Sequence, residues 1–156
     1  MFSKEERSTF PYWFAHWCAF QMTALNLRAW RFKYVFHDAE KPWLRLFLPY
    51  SKVQRLHRIH NRHHIGWLEH NLKKNHTKEN IERLLSKFDF DATIIDWECC
   101  HFTKIECPLD ALGEHNRVFN DNFEDKYPCI TKYCYSEFFT GLMNSIKKFG
   151  LNNKNI

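Results

Sequence analysis

A histidine and an aspartate stand side by side in the stretch YVFHDAEKPW, residues 34–43, and a lysine follows three places after the aspartate. Imidazole and carboxylate groups can both ligate one divalent ion, so His37 and Asp38 are candidate metal ligands. At a helix end the same charged groups could instead satisfy unpaired backbone amides or carbonyls. The positions of the other histidines and acidic residues bear on which of these two interpretations applies.

Histidines are concentrated in one short segment. A helix predicted from Ser51 to about residue 64 carries four of them: His57, His60, His63 and His64. At 100° per residue, three of the four share a sector of about 60°, and His63 lies at its edge. Four imidazoles on one face favour a metal or a phosphate as their partner over an ordinary solvated surface.

Two further polar side chains lie in strongly apolar segments. His16 lies within YWFAHWCAF and Asp96 within TIIDWE. A lone histidine in such surroundings is usually a hydrogen-bonded core residue, but a buried carboxylate without a partner is expensive. One divalent ion would satisfy His16, Asp38 and Asp96 together, so we expect these three residues to converge.

The charge distribution indicates an anionic ligand. The net charge of +5 is a mild bias, but residues 52–64 contain four basic residues, four histidines and no acid. Such a strip suits a phosphate-bearing ligand or nucleic acid. A Gly-rich phosphate loop is absent from the sequence, which argues against an ATP-driven kinase or motor.

The composition predicts an all-α protein, because only four glycines and five prolines interrupt 156 residues with helical periodicity. This length fits a single domain, a compact helical bundle spanning residues 1–156. Helices are predicted over the following residues: 11–26, 28–38, 51–64, 78–87, 89–104, 108–118 and 131–149. Residues 67–78 are predicted to be a polar connection and residues 120–128 a loop.

Cysteines and the N-terminus bear on the compartment. None of the six cysteines forms a CxxC pair, so we expect reduced, packed thiols and a cytoplasmic setting. The N-terminal segment MFSKEERSTF is charged, unlike a secretory signal. No uninterrupted apolar run reaches the length of about 18 residues that a membrane span needs.

The order of these elements resembles the HD-domain superfamily of metal-dependent phosphohydrolases. The chain presents His16, then His37 and Asp38, then the histidine-rich helix, then Asp96. The string HDAEK is similar to the HDxxK form of that superfamily. Together, HDAEK, LHRIHNRHHIGW and IIDWE look similar to a small phage and bacterial branch of it. The similarity covers about residues 12–104, and the helices predicted over 108–149 would complete the domain.

The resemblance implies a set of metal ligands on consecutive helices. The first metal would be bound by four residues: His16, His37, Asp38 and Asp96. A second metal, where longer-motif members carry one, would use two histidines of the following helix: His60 and His64. The implied cofactor is one or two divalent transition-metal ions (manganese, iron, cobalt, nickel or zinc), with magnesium as a further candidate. Which histidines of that helix are ligands stays open.

The implied reaction is hydrolysis of a nucleotide or related phosphoester by a metal-activated water. Asp38 would ligate the metal and orient the water, and His63 would protonate the leaving oxygen. Lys41, together with Arg58 and Arg62, would bind the phosphoryl oxygens of the substrate.

Two alternatives remain open at this point. Some HD-fold relatives use a di-iron centre for oxygen chemistry, which a histidine-rich set would accommodate. A basic helical module without catalysis could instead bind nucleic acid, with Trp43, Tyr50 and Trp67 stacked on bases. The expected partner is a small phosphorylated substrate and not a membrane. The closing helix could also line a homodimer contact.

Overall fold

The first long helix begins where the sequence predicts it. The computed structural model describes residues 1–3, 6–104 and 110–153. Helix α1 (Phe10–Asn26) follows Thr9, whose hydroxyl accepts a hydrogen bond from the backbone N–H of Tyr12 over 3.4 Å. Pro11 lies in the first turn, where its missing N–H removes no helical hydrogen bond.

Helices account for the regular structure of the described residues, which confirms the all-α prediction. After α1 the chain forms α2 (Glu40–Arg45), α3 (Tyr50–His60), α4 (Ile65–Lys74), α5 (Lys78–Lys87), α6 (Phe90–Thr103), α7 (Ala111–Asn120), α8 (Phe123–Lys126), α9 (Pro128–Tyr133) and α10 (Tyr135–Lys148). Three short 3₁₀ helices cover Glu6–Ser8, Phe32–Phe36 and Leu151–Asn153. Within the described ranges, β pairing is limited to one isolated bridge between Phe2 and Lys104.

The chain divides into two compact units, each formed from two separate stretches of sequence. The first unit comprises Met1–His57 and Ile95–Ala111, and the second comprises Arg58–Ile94 and Leu112–Ile156. The first unit therefore holds α1, α2, most of α3 and the C-terminal part of α6. The prediction of a single domain stays a prediction.

In the first unit, three side chains of α1 bind the backbone that carries the His37–Asp38 pair. They recur every four residues, so they lie on one face of the helix. Their hydrogen bonds to backbone carbonyls are Trp13 to Asp38 (2.8 Å), Trp17 to Val35 (2.9 Å) and Gln21 to Tyr34 (2.6 Å). The predicted helix over 28–38 is wrong, because this segment forms only the 3₁₀ turn Phe32–Phe36 and gives these carbonyls to α1.

In the second unit, the chain turns after His60 instead of continuing as a helix to residue 64. The carbonyl of Arg62 accepts the backbone N–H of Asp89 over 3.0 Å, and the carbonyl of His63 accepts the Thr93 hydroxyl over 2.7 Å. Both carbonyls thus accept hydrogen bonds from residues at the start of α6, and not from a continuation of α3. The predicted face of four histidines on one helix is therefore wrong.

Residues 67–78 are also not the predicted polar connection, because α4 occupies Ile65–Lys74. Gly66 lies inside α4. A Cβ atom at Gly66 would approach the backbone oxygen of Arg58 to 3.2 Å, so this glycine permits close packing of α4 on the end of α3.

The remaining helix boundaries are partly as expected. Helix α5 matches its prediction, and Asp89 caps α6 by accepting the N–H of Ala92 over 3.2 Å. The predicted helix over 131–149 divides into α9 and α10, and the predicted loop over 120–128 contains α8. The expected helix start at Pro108 lies outside the described residues.

Two expectations from composition can be compared with the structure. No helix within the described ranges is long and apolar enough to cross a bilayer. The five cysteines in those ranges are all free thiols, in agreement with the absence of CxxC pairs.

Gly141 provides a test of the packing that holds the start of α6 in the second unit. A Cβ atom there would come within 2.5 Å of the ring of Phe90, which packs against Phe88 and Phe138. We expect Gly141→Ala to lower the free energy of unfolding by about 1–2 kcal/mol, because overpacking outweighs the better helix propensity of alanine.

The measurement is urea unfolding followed by circular dichroism. Thr140→Ala, at an exposed position of the same helix, is the matched control and should leave stability within about 0.5 kcal/mol of the parent. A Gly141→Ala protein more stable than the parent would contradict this account of the packing.

Candidate metal centre

Four of the side chains singled out by the sequence converge in the first unit. They come from α1, from the turn after the 3₁₀ helix, and from α6: His16, His37, Asp38 and Asp96. The first three are buried, and the side chain of Asp96 is 14% exposed. The predicted convergence of His16, Asp38 and Asp96 is therefore present in the structure.

The separations between their ligand atoms suit a single ion. His16 Nε2 lies 3.0 Å from Asp96 Oδ1 and 3.6 Å from Asp38 Oδ2. His37 Nε2 lies 3.6 Å from Asp38 Oδ1 and 3.8 Å from Asp96 Oδ1. Ligands about 2.1 Å from one divalent ion are separated by roughly 3.0–3.4 Å at bond angles of 90–109°. One ligand atom from each of His16, His37 and Asp38 lies close enough to the other two to hold an ion, and Asp96 Oδ1 lies within 3.8 Å of both imidazoles.

The backbone of Asp38 adopts the left-handed conformation, with φ of 59°. Aspartate tolerates this region better than most residues, and the Trp13 indole bond to its carbonyl holds the turn. The ring of His37 stacks on Phe20, with centroids 3.6 Å apart, and the ring of His16 stacks on Tyr12. The ligand side chains are thus oriented by packing before any ion binds.

Asp38 also contacts two cationic or potentially cationic groups. Lys41 Nζ donates to Asp38 Oδ2 over 2.5 Å, and His57 Nε2 lies 3.1 Å from Asp38 Oδ1. The other ring nitrogen of His57 makes a short hydrogen bond to the carboxylate of Glu40. His57 therefore bridges two carboxylates, an arrangement that fixes the orientation of Asp38.

The sequence alone gives no specific role to Glu40 or His57. Glu40 follows Asp38 by two residues inside HDAEK, so the sequence shows that it lies near Asp38. The sequence does not show that Glu40 contacts His57. His57 was one of four histidines assigned to one face, with no means of separating it from the others. The structure buries His57 and leaves His60, on the same helix, exposed.

The carboxyl groups of Asp38 and Asp96 are both held in the charged form. Burial alone would raise the pKa of Asp38, but the interactions with His37, Lys41 and His57 outweigh it and hold that pKa well below its usual range. Burial would likewise raise the pKa of Asp96. Hydrogen bonds from His16 and His37 outweigh burial and hold the pKa of Asp96 well below its usual range. Two ionised carboxylates are the state that a cation requires.

The charge of His57 is stabilised from both sides. Burial would lower its pKa, yet the adjacent Asp38 carboxylate and the hydrogen bonds to Asp38 and Glu40 raise the pKa of His57 above its ordinary value. Reciprocally, burial would raise the pKa of Glu40, but His57 lowers it overall.

Two cysteines of α6 border the cluster, which sequence reasoning missed because it treated them as core. Cys99 and Cys100 follow Asp96 by three and four residues and so share its helix face. Together with His16 and Asp96, their ligand atoms form a second group close enough to hold an ion. Burial raises the pKa of the Cys99 thiol well above its usual range, so an ion that used this ligand would have to displace the thiol proton.

The remaining predicted site residues belong to the second unit. His63 is buried and His64 half-buried, whereas the others are exposed: Arg58, His60 and Arg62. Their assignment as second-metal ligands, proton donor or phosphate-binding groups stays a prediction. Lys41, in the first unit, does lie beside the cluster.

Comparisons with protein-family models, with curated proteins and with solved structures find no match. The likeness to HD-domain proteins is therefore confined to the sequence motifs given above. What bears on function is the side-chain geometry of the first unit.

His57 predicts a specific pH dependence of stability in the metal-free chain. Because its pKa is raised on folding, its contribution is fully present below pH 6.5 and is lost as the pH rises through the folded-state pKa. We expect His57→Gln to cost about 3 kcal/mol of unfolding free energy at pH 6, because it breaks a buried ion pair. That difference from the parent should shrink towards pH 9.

The measurement is urea unfolding in chelator at several pH values between 6 and 9. His60→Gln, at an exposed position of the same helix, should show no such pH-dependent difference. If the difference in unfolding free energy between the parent and His57→Gln stayed constant or grew with pH, the charged imidazole would not stabilise the fold.

Proposed function

We propose that the protein is a metal-dependent phosphohydrolase that acts on a nucleotide or related phosphoester. The observation that carries the proposal is that His16 and His37 each approach both Asp38 and Asp96, with nitrogen-to-oxygen distances of 3.0–3.8 Å, beside Lys41. Mostly buried, ionised carboxylates facing imidazole nitrogens suit a divalent cation, and a neighbouring ammonium suits an anionic substrate.

Four residues would hold the ion: His16, His37, Asp38 and Asp96. When bound, a divalent metal supplies a nucleophile from water near neutral pH and withdraws charge from phosphoryl oxygens. The mixed nitrogen and oxygen ligand set is compatible with manganese, iron, cobalt, nickel or zinc, and less so with magnesium, which prefers oxygen.

The protein's own residues orient and neutralise the reacting groups. Lys41 holds an oxygen of Asp38 and can donate a second N–H to a phosphoryl oxygen, since its ammonium carries three donors. His57 and Glu40 keep the Asp38 carboxylate in one orientation through the chain of hydrogen bonds from Glu40 to His57 to Asp38. Trp13 fixes the backbone of the same residue.

Residues of the second unit complete the proposal. His63 is proposed as the proton donor to the leaving oxygen, and Arg58 and Arg62 as groups that neutralise phosphate. A second ion bound by His60 and His64 belongs to the same proposal.

The test is hydrolysis by chelator-stripped protein reloaded separately with manganese, iron, cobalt, nickel, zinc or magnesium. Substrates should include nucleoside monophosphates, cyclic nucleotides and an aryl phosphodiester. We expect metal-dependent phosphate release, and we expect Asp38→Asn to lower kcat/KM by at least about 10³, because a ligand and its charge are lost. Asparagine also tolerates the left-handed backbone at this position.

Asp125→Asn, an exposed acid-to-amide change, is the matched control and should retain parental activity. Failure to hydrolyse any of these substrates with every metal would contradict the proposal. A coupled di-iron spectrum, or salt-dependent nucleic-acid binding unchanged by Asp38→Asn, would point to the alternative functions.

A further inference from the structure

A pocket of about 210 Å³ opens in the first unit beside the candidate metal ligands. His16, Asp38 and Lys41 form part of its wall, and every residue that lines it lies within Met1–His57. The volume is below the roughly 300–1,000 Å³ typical of sites for drug-sized ligands. It is therefore suited to a small molecule and not to a polymer.

Most of the charged side chains that line this pocket are cationic. Three cationic side chains line it: Arg7, Lys41 and Arg45. Asp38 is the single acid among the lining residues that the structure describes, and Lys41 already contacts its carboxylate. Lys41 and Arg45 are four residues apart on α2, so their side chains leave the same face of that helix. This arrangement favours an anion that carries more than one negative charge.

Aromatic rings form another part of the wall. Tyr12, Trp13 and Tyr50 line the pocket together with the cations. The indole N–H of Trp13 is bonded to the Asp38 carbonyl, which holds this ring in place beside the cluster. The half-buried rings of Trp13 and Tyr50 offer surface on which a planar group can stack, an interaction worth about 1–3 kcal/mol for a nucleobase.

We propose that this pocket is a binding site for a small phosphate monoester that carries one flat aromatic group. Arg7, Lys41 and Arg45 bind the dianionic phosphate, and Trp13 and Tyr50 contact the ring. This assignment rests on the proposed hydrolase function in one respect, which is that the phosphorus atom lies next to Asp38. Recognition by the cations and rings does not require turnover, so binding can be measured in its own right.

The experiment is calorimetric titration of the metal-free full chain with ligands that separate the two features. Phenyl phosphate and adenosine 5′-monophosphate carry both a ring and a dianion, glycerol phosphate lacks the ring, and phenol lacks the phosphate. We expect the two complete ligands to bind at least tenfold more tightly than glycerol phosphate or phenol. A tighter complex with adenosine 5′-monophosphate than with phenyl phosphate would indicate a nucleotide source, and the reverse order a simple aryl phosphate.

Two variants test the assigned residues. Arg45→Gln should weaken phenyl phosphate binding about tenfold, because a charge-assisted hydrogen bond is lost. Arg55→Gln removes the same charge from an exposed position of α3 outside the pocket and should leave binding unchanged. Tyr50→Leu should weaken binding of phenyl phosphate about fivefold and leave glycerol phosphate binding unaffected, since it removes the flat ring, and with it a hydroxyl that accepts from Gln54 over 2.8 Å.

The pocket and the hydrolase proposal fail in different ways. Equal affinities for phenyl phosphate and glycerol phosphate, or equal effects of Arg45→Gln and Arg55→Gln, would overturn the pocket assignment even if the loaded protein hydrolyses phosphoesters. Ring-dependent and Arg45-dependent binding would support it even if no hydrolysis is found with any metal.

Discussion

The first unit depends on the burial of one ionised carboxylate. Asp38 is 1% exposed, and a charge so far from water is tolerated only where other charges and hydrogen bonds replace its hydration. Lys41, His37 and His57 supply that replacement, and His57 is in turn held by Glu40. Each of these groups lies close to Asp38, and together with Asp96 and His16 they form the cluster that could hold a cation.

The same requirement explains the local fold. A regular helix over residues 28–38 would use its own carbonyls and would not present His37 and Asp38 together to α1. Instead, donors spaced by four residues on α1 take the carbonyls of Tyr34, Val35 and Asp38, and Asp38 enters the left-handed region. The stacking of His37 on Phe20 completes the orientation. The turn that carries the ligands is thus set by tertiary hydrogen bonds and not by local helix propensity.

Sequence reasoning succeeded where one residue's chemistry demanded a partner. His16, Asp38 and Asp96 were expected to meet because polar groups in apolar segments must be satisfied, and they do meet. It failed where the deciding interaction joins distant segments. The end of α3 at His60 reflects bonds from Asp89 and Thr93, some 30 residues away, that periodicity cannot reveal. Glu40, His57 and Cys99 were missed for the same reason, since nothing in their spacing identifies their contacts.

Cobalt titration of the chelator-stripped chain, followed by visible absorption, tests the central claim most directly. The account predicts about one equivalent of tightly bound Co²⁺ with d–d bands. It predicts that His16→Gln and Asp38→Asn lose these bands while retaining the circular dichroism of the parent. A parent chain that binds no Co²⁺, or folded variants that bind it as the parent does, would contradict the assignment of this cluster as a metal centre.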